Sequence, residues 1–80
     1  TGAGAEVDLL VFDRKNRPIA IEIKYSMSPK AEKGFQIAYE DLSCKRGFIV
    51  YPGKESYPVG RNITVLPIKE ISKIAKEFIT

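Results

Sequence analysis

Residues 6–24, EVDLLVFDRKNRPIAIEIK, contain the pattern that determines the fold. Apolar residues alternate along both sides of a polar turn at residues 14–17, and a period of two is typical of β-strands. We therefore predict a strand at residues 6–13 and a second strand at residues 18–24. Because the turn between them is short, the two strands should form an antiparallel hairpin.

The hairpin brings charged residues to one face if its loop has three residues. A three-residue loop that ends at Asn16, in the left-handed conformation that this loop type needs, places Asp8 opposite Glu22. The same loop shifted by one residue places Asp8 opposite Lys24, and a four-residue loop places it opposite Ile23 on the buried side. Both three-residue loops keep Asp8 on the face that Glu22 and Lys24 share, because side chains alternate across a strand.

The hydrophobic pattern favours the register with Asp8 beside Glu22. In that register six apolar side chains share the other face: Val7, Leu9, Val11, Ile19, Ile21 and Ile23. A slip of one residue would mix these side chains with acids, which is costly when a face is buried. Two opposed carboxylates repel each other unless a cation lies between them, so we expect Lys24 or a divalent ion there.

Asp8, Glu22 and Lys24 are the residue types that metal-dependent phosphodiester chemistry needs. Carboxylate oxygens are hard ligands for Mg²⁺, and an ammonium is a compact charge suited to phosphate oxygens. The alternative is a set of solvated side chains on the wet face of a hairpin, since a Glu-x-Lys triplet is common by chance. The position of Asp8 and the apolar neighbours Leu10 and Ala20 favour the functional interpretation.

A helix and a third strand are predicted after the hairpin. Ser28 can cap the helix with Pro29 at its first position, and apolar residues at helical spacing continue to about Ser43. Residues 46–51, RGFIVY, predict the third strand. Because a helix connects the second and third strands in a right-handed crossover unit, these two strands should be parallel.

The C-terminal part predicts one more strand and one more helix. Residues 52–61 are rich in Gly and Pro and predict a loop, residues 62–66 predict a fourth strand, and Pro67 opens a helix with one apolar stripe. The predicted fold class is α/β, with a mixed four-stranded sheet in the order β-β-α-β-β-α. Eighty residues suffice for one small domain, so residues 1–80 are interpreted as a single domain.

Composition excludes several kinds of site. The chain has no histidine and a single cysteine, Cys44, which excludes histidine-based zinc sites, Ser-His-Asp triads and an internal disulfide. Any metal must therefore be held by oxygen. No apolar run of about 20 residues and no signal-peptide pattern is present, so we expect a cytoplasmic protein without membrane association. The net charge of +3 is compatible with a polyanionic partner.

Other residues have two interpretations each. Glu6 points to the Asp8 face, and the sequence leaves open whether it is functional or merely exposed. Seven cations could form a phosphate-contact surface, but the acids interspersed among them favour a surface that is merely solvated. The seven are Arg14, Lys15, Arg17, Lys30, Lys33, Lys45 and Arg46. Tyr25, Tyr51 and Tyr57 can stack on bases, although packing at the core edge is favoured.

The order of these motifs resembles the PD-(D/E)xK nuclease superfamily, with an Asp on one strand, Glu-x-Lys on the next, then a helix and a parallel strand. Three segments are most similar to the C-terminal domain of unknown function of prokaryotic AAA-type ATPases: GAEVD at 4–8, IEIKYS at 21–26 and KRGFIVY at 45–51. The resemblance runs from about Gly2 to Leu66. Val7 occupies the position of the proline in the superfamily name, which many members lack.

This resemblance implies a restriction-endonuclease-like core without its first helix and strand, in a C-terminal fragment of a larger, ATP-binding ATPase. It implies catalytic roles for Asp8, Glu22 and Lys24, and binding of Mg²⁺ or Mn²⁺ by Asp8, Glu22 and the backbone carbonyl of Ile23. Lys24 would position the attacking water or stabilise charge on phosphorus. Gln36 matches a polar helper of some nucleases, although an exposed helical Gln is the commoner interpretation.

The implied function is Mg²⁺-dependent hydrolysis of nucleic acid, DNA or RNA, by a nuclease-like domain. One alternative is a non-catalytic recognition or regulatory module of the ATPase with the same fold, and another is an α/β interaction domain unrelated to nucleases. The implied partners are nucleic acid, the ATPase domain of the parent chain, and a second copy that pairs through the sheet edge exposed by the missing strand.

Overall fold

A computed structural model of the chain describes residues 6–79, so Gly4 and Ala5 of the first resembling segment lie outside the described residues. The strands and the main helix are β1 (Leu9–Phe12), β2 (Pro18–Ile23), α1 (Lys33–Asp41), β3 (Arg46–Tyr51), β4 (Tyr57–Gly60) and β5 (Ile63–Pro67). A C-terminal helical segment follows as a 3-10 turn (Ile68–Glu70), α2 (Ser72–Ile74) and a π-helical turn (Ala75–Ile79). Within residues 6–79, no helix has the length and apolar character needed to cross a membrane.

The strands form one mixed sheet in the order β1-β2-β3-β5-β4. The β1/β2 and β4/β5 pairs are antiparallel, whereas β2/β3 and β3/β5 are parallel. The predicted α/β class and the parallel pairing of the second and third strands are confirmed. The prediction of four strands is wrong, because β4 pairs with β5 in a segment whose Gly and Pro residues indicated a loop. Pro58 is tolerated in β4 because this strand lies at the sheet edge, where an N–H can be missing.

The hairpin adopts the predicted register with a three-residue loop. Leu9 lies opposite Ile21 and Val11 lies opposite Ile19. Asn16 has a φ of 61°, the left-handed conformation that was expected at the end of this loop. Local turn chemistry and the hydrophobic pattern therefore agree on one register.

Asp13 holds the hairpin loop through its carboxylate. Oδ1 accepts hydrogen bonds from the N–H groups of Lys15 and Arg17, each at 2.9 Å, and Oδ2 accepts one from Nε of Arg17 at 2.8 Å. These bonds, above all the one from the Arg17 N–H, hold the pKa of Asp13 below its ordinary value of 3.8. A carboxyl with a lowered pKa stabilises the fold above its unfolded pKa, and this contribution is lost as pH falls through the folded pKa.

We expect Asp13→Asn to lower the melting temperature at neutral pH, because the amide loses the charge that these donors favour. The difference in melting temperature from the wild type should narrow as pH falls below 3.8, because the wild-type carboxyl is then protonated, first in the unfolded chain and at lower pH in the folded protein, and loses its charge. Thermal melting followed by circular dichroism across this pH range measures the effect, with Asp41→Asn as a control on an exposed acid. A difference that stayed constant with pH would show that the charge of Asp13 is irrelevant.

Two apolar clusters cover the two faces of the sheet. The first, under the C-terminal helical segment, contains six buried residues: Ile19, Ile21, Phe48, Val50, Leu66 and Ile74. The second, under α1, contains another six: Ala20, Phe35, Ile49, Tyr51, Ile63 and Val65. The face of β2 that carries Ala20 therefore also carries Glu22, and it lies towards α1.

The predicted six-residue apolar face is correct for half of its members. Three of them join the first cluster: Val11, Ile19 and Ile21. Leu9 and Ile23 are exposed, and Val7 packs against the second cluster instead. Val7 departs from the prediction because β1 begins only at Leu9: the Glu6 N–H donates to the Gly34 carbonyl at 2.9 Å, which directs residues 6 and 7 towards α1.

Both helical segments begin differently from the prediction. The N-cap of α1 is Glu32, not Ser28, and Pro29 is buried ahead of the helix. The Ser28 N–H donates instead to Oγ of Ser26 at 3.1 Å, so these serines form a local turn of their own. Pro67 is both the last residue of β5 and, with ψ at 138°, the extended N-cap of the 3-10 turn, so the last helical segment begins one residue later than predicted.

Phe35 places α1 directly on β3. Its side chain is 1% exposed, and a Cβ added at Gly47 would lie only 3.0 Å from Cζ of the Phe35 ring. Glycine at position 47 therefore lets the ring approach the strand backbone closely. This contact sets the height of α1 over the sheet and with it the position of Glu32 at the start of the helix.

Candidate functional site

Asp8 lies where the chain enters β1 and makes contact with the end of β2. The β1/β2 ladder ends with Leu9 opposite Ile21, and just before it the Asp8 N–H also turns to β2 and donates to the Ile21 carbonyl at 3.1 Å, so the regular register stops at Leu9. Oδ2 of Asp8 accepts the Ile23 N–H at 2.8 Å. Among residues 6–79 this is the hydrogen bond that the Asp8 carboxylate forms, and it uses one of the two oxygens.

The backbone carbonyl of Ile23 is on the same side of β2 as Asp8. Within an antiparallel ladder the N–H and C=O of one residue point to the same neighbouring strand, and the Ile23 N–H points to Asp8. The Lys24 N–H points the other way and donates to the Val50 carbonyl of β3 at 2.9 Å. The predicted carbonyl ligand and the Asp8 carboxylate are thus directed to the same edge of β2.

Glu22 is a buried charge next to the second apolar cluster. It is 6% exposed and, over residues 6–79, it is the one charged residue that is buried. Its Oε2 atom lies 3.0 Å from Nζ of Lys24. Burial of a charge is costly unless it is paired, and Lys24 supplies the pairing charge in this position.

Lys24 has a second carboxylate partner that sequence reasoning missed. Oε1 of Glu32 lies 3.0 Å from Nζ of Lys24. Hydrogen bonds to Glu22 and then to Glu32 raise the pKa of Lys24 above its ordinary value, and the bond from Lys24 lowers the pKa of Glu32. One feature of the sequence could have indicated this contact: Glu32 lies near the start of a predicted helix that must pack back over the second strand, where Lys24 lies.

Two further candidates lie apart from this contact. Glu6 is exposed, and Gln36 is an exposed residue of α1 whose Nε2 donates to the Ala31 carbonyl at 2.6 Å. Over residues 6–79, no three side chains of His, Cys, Asp or Glu come together as a metal-holding group. Asp8, Glu22 and the Ile23 carbonyl stay the oxygen donors that the sequence predicts.

Three of the candidate phosphate-contact cations have structural partners. Nη2 of Arg14 donates to the Glu77 carbonyl at 2.7 Å, and Nε of Arg17 lies 2.8 Å from Oδ2 of Asp13. The Arg46 guanidinium lies 4.7 Å from the centre of the Phe78 ring, within the range of a cation–π contact. The contacts of Arg14 and Arg46 tie the hairpin and β3 to the C-terminal helical segment, and that of Arg17 lies within the hairpin.

The three tyrosines that could stack on bases divide into two groups. Tyr51 is buried and Tyr57 is half-buried, and their rings pack edge to face with centroids 6.3 Å apart. Packing is therefore the role of these two rings in the fold. Tyr25, directly after Lys24, is exposed.

Fold and site together define a small α/β domain with a partly buried ion pair at one end of a β-hairpin. The chain belongs to the family described as "Domain of unknown function (DUF4143)", which matches residues 1–71. Two relatives, the uncharacterized protein Rv2008c of Mycobacterium tuberculosis and the uncharacterized protein Mb2031c of Mycobacterium bovis, are each 34% identical over 71 residues. The aligned part is 89% of this chain but 16% of each relative. No solved structure matches the chain.

Proposed function

We propose that this domain is nuclease-like and hydrolyses phosphodiester bonds of nucleic acid with Mg²⁺ or Mn²⁺ as cofactor. The observation that carries the proposal is the buried carboxylate of Glu22, 3.0 Å from the Lys24 ammonium and next in sequence to Ile23, whose N–H donates to the Asp8 carboxylate at 2.8 Å. Buried ion pairs contribute little to stability and are often replaced by apolar residues without loss. The partly buried pair at the end of this hairpin therefore favours a chemical role over a structural one.

The oxygen donors fit a small, hard cation. Mg²⁺ is commonly bound by one or two carboxylates and keeps several waters, so Asp8, Glu22 and the Ile23 carbonyl would be a sufficient set. The second oxygen of Asp8 suits this role, because the first is taken by the Ile23 N–H. When bound, the cation would polarise a phosphate oxygen and lower the pKa of a water.

The chain's own residues have separate tasks in this proposal. The Lys24 ammonium binds a phosphate oxygen and offsets the charge that develops on phosphorus. Asp8 joins the beginning of β1 to the end of β2, which keeps the two carboxylates on neighbouring strands. The core would be restriction-endonuclease-like. It would belong to a longer cytoplasmic AAA-type ATPase, and the ATPase domain of that protein would be its partner. The greater length of the two relatives supports a longer parent protein.

The proposal is tested by cleavage of labelled DNA and RNA, single- and double-stranded, in Mg²⁺ or Mn²⁺. We expect cleavage by the wild type that chelation abolishes, and a loss of about 100-fold or more in Asp8→Asn. The amide of Asn keeps an acceptor for the Ile23 N–H, so the fold should persist. Asp41→Asn is the matched control and should cleave as the wild type does. Equal cleavage by the wild type and Asp8→Asn would refute the metal role.

One observation favours a second function, a non-catalytic recognition or regulatory module. The Lys24 ammonium has two carboxylate partners at 3.0 Å, so Glu22 and Glu32 both have a cationic partner without a metal ion. In that case the domain binds nucleic acid or its ATPase domain without cleaving any substrate. Fluorescence anisotropy with labelled nucleic acid distinguishes the two functions, since binding that is insensitive to divalent ions and to Asp8→Asn would favour the second.

A further inference from the structure

The Lys24 ammonium lies between a buried carboxylate of the sheet and an exposed carboxylate of α1. Nζ is 3.0 Å from Oε2 of Glu22 and 3.0 Å from Oε1 of Glu32. The side chains of Lys24 and Glu32 are 28% and 58% exposed, whereas that of Glu22 is 8% exposed. The ammonium can therefore stay paired with one of the two carboxylates when the other binds a different cation.

Glu32 is directed to Lys24 by its place at the start of α1. It is the N-cap residue, with an extended backbone at φ −80° and ψ 167°. Its carbonyl accepts the Gln36 N–H at 3.0 Å, but its side chain makes no capping hydrogen bond. Ser, Thr, Asp and Asn are the residues that cap a helix well. The Glu32 carboxylate is therefore used for the lysine and not for the helix.

An ammonium and a divalent cation compete for the same carboxylate. If Glu22 were the sole partner of Lys24, a cation at Glu22 would displace the ammonium and leave it without a partner. With Glu32 in place, the ammonium keeps a partner at 3.0 Å when Glu22 turns to the cation. Glu22 then binds the divalent cation, and Glu32 pairs with the ammonium.

We infer that Glu32 is a positioning residue, which retains the Lys24 ammonium beside the site and so leaves Glu22 accessible to the divalent cation. This inference rests on the proposed metal-dependent function. It assigns Glu22 to the metal and Glu32 to the lysine, and it places the exposed start of α1 in the working site.

Binding of Mn²⁺ to the 80-residue chain, measured without nucleic acid by electron paramagnetic resonance of the free ion, tests the inference. Glu32→Gln should weaken Mn²⁺ binding by about two- to fivefold, because the ammonium then turns wholly to Glu22. Glu40→Gln removes the same charge from an exposed position near the other end of α1 and should leave binding unchanged. Lys24→Met should strengthen binding by about fivefold or more, since the competing charge is gone.

A double-mutant cycle separates positioning from a general charge effect. If Glu32 acts through the lysine, Glu32→Gln has no effect on Mn²⁺ affinity in the Lys24→Met background. An equal weakening in both backgrounds would mean that Glu32 attracts the ion by its charge alone, and it would overturn the inference. Unchanged affinity of Glu32→Gln in the wild-type background would overturn it as well.

Failure of the proposed function has a different signature. If the wild type binds Mn²⁺ and the cycle has the expected form, but no nucleic acid is cleaved, then the positioning role stands and the nuclease function alone is contradicted. If the wild type binds no Mn²⁺, the metal site and the positioning role are both overturned.

Discussion

Glu22→Gln is expected to reduce metal-dependent cleavage by about 100-fold or more while the domain stays folded. The amide has nearly the shape of the carboxylate, but it offers neither the negative charge nor the ligand strength that a divalent cation needs. The fold tolerates the change because Lys24 keeps Glu32 as a partner at 3.0 Å. Cleavage rates at saturating Mg²⁺, together with melting curves of the same preparations, measure both parts of this prediction.

A paired replacement distinguishes a functional ion pair from a structural one. The double variant Glu22→Leu/Lys24→Met removes both charges and extends the second apolar cluster. Apolar replacement of a buried ion pair is often neutral or stabilising by about 1–4 kcal/mol, and the partial exposure of Lys24 places this pair at the low end. We expect an unchanged or higher melting temperature with cleavage lost. A strongly destabilised double variant would instead mean that the pair maintains the fold.

Phe35→Ala is expected to lower the free energy of unfolding by about 3–5 kcal/mol. This is a large part of the roughly 4–12 kcal/mol that a domain of this length has in total. The Phe35 ring is 1% exposed and lies against Gly47, so its removal leaves a cavity between α1 and β3. A nine-residue helix is not stable by itself, and α1 depends on this contact to stay on the sheet.

Phe12→Ala is the matched control for the core prediction, and urea denaturation is the measurement. The substitution Phe12→Ala removes the same number of atoms as Phe35→Ala, but Phe12 is 47% exposed in the edge strand β1. We expect a loss of about 1 kcal/mol or less. If Phe35→Ala cost no more than Phe12→Ala, the placement of α1 by Phe35 would be wrong. Loss of the Lys24–Glu32 contact should accompany unfolding of α1, since Glu32 lies at its start.

The hairpin could be predicted in detail because its determinants are local. Side-chain alternation and the left-handed residue Asn16 act over a few neighbouring positions, and both select the register that the structure has. The bounds of β3 agree with the prediction for the same reason, since a short apolar run with β-branched residues has few other interpretations.

The failed predictions concern contacts between distant segments. Gly and Pro in residues 57–60 indicated a loop, but β5 offers this segment a partner strand, and it becomes β4. Val7 has the parity of the first cluster, yet it packs on the second because Gly34 of α1 draws the neighbouring Glu6 across. Ser28 is a good cap in isolation, but the start of α1 is determined by how the helix meets the sheet.

The sequence alone determined the α/β class, the hairpin register from Leu9 to Ile21 and the sharing of one face by Glu22 and Lys24. These follow from periodicity and turn chemistry, which are properties of adjacent residues. Only the tertiary structure decided that Glu22 is buried and that Lys24 is shared with Glu32. Burial and the second ion pair depend on where α1 rests, and that position is set by the Phe35 ring on Gly47, a contact that no local pattern encodes.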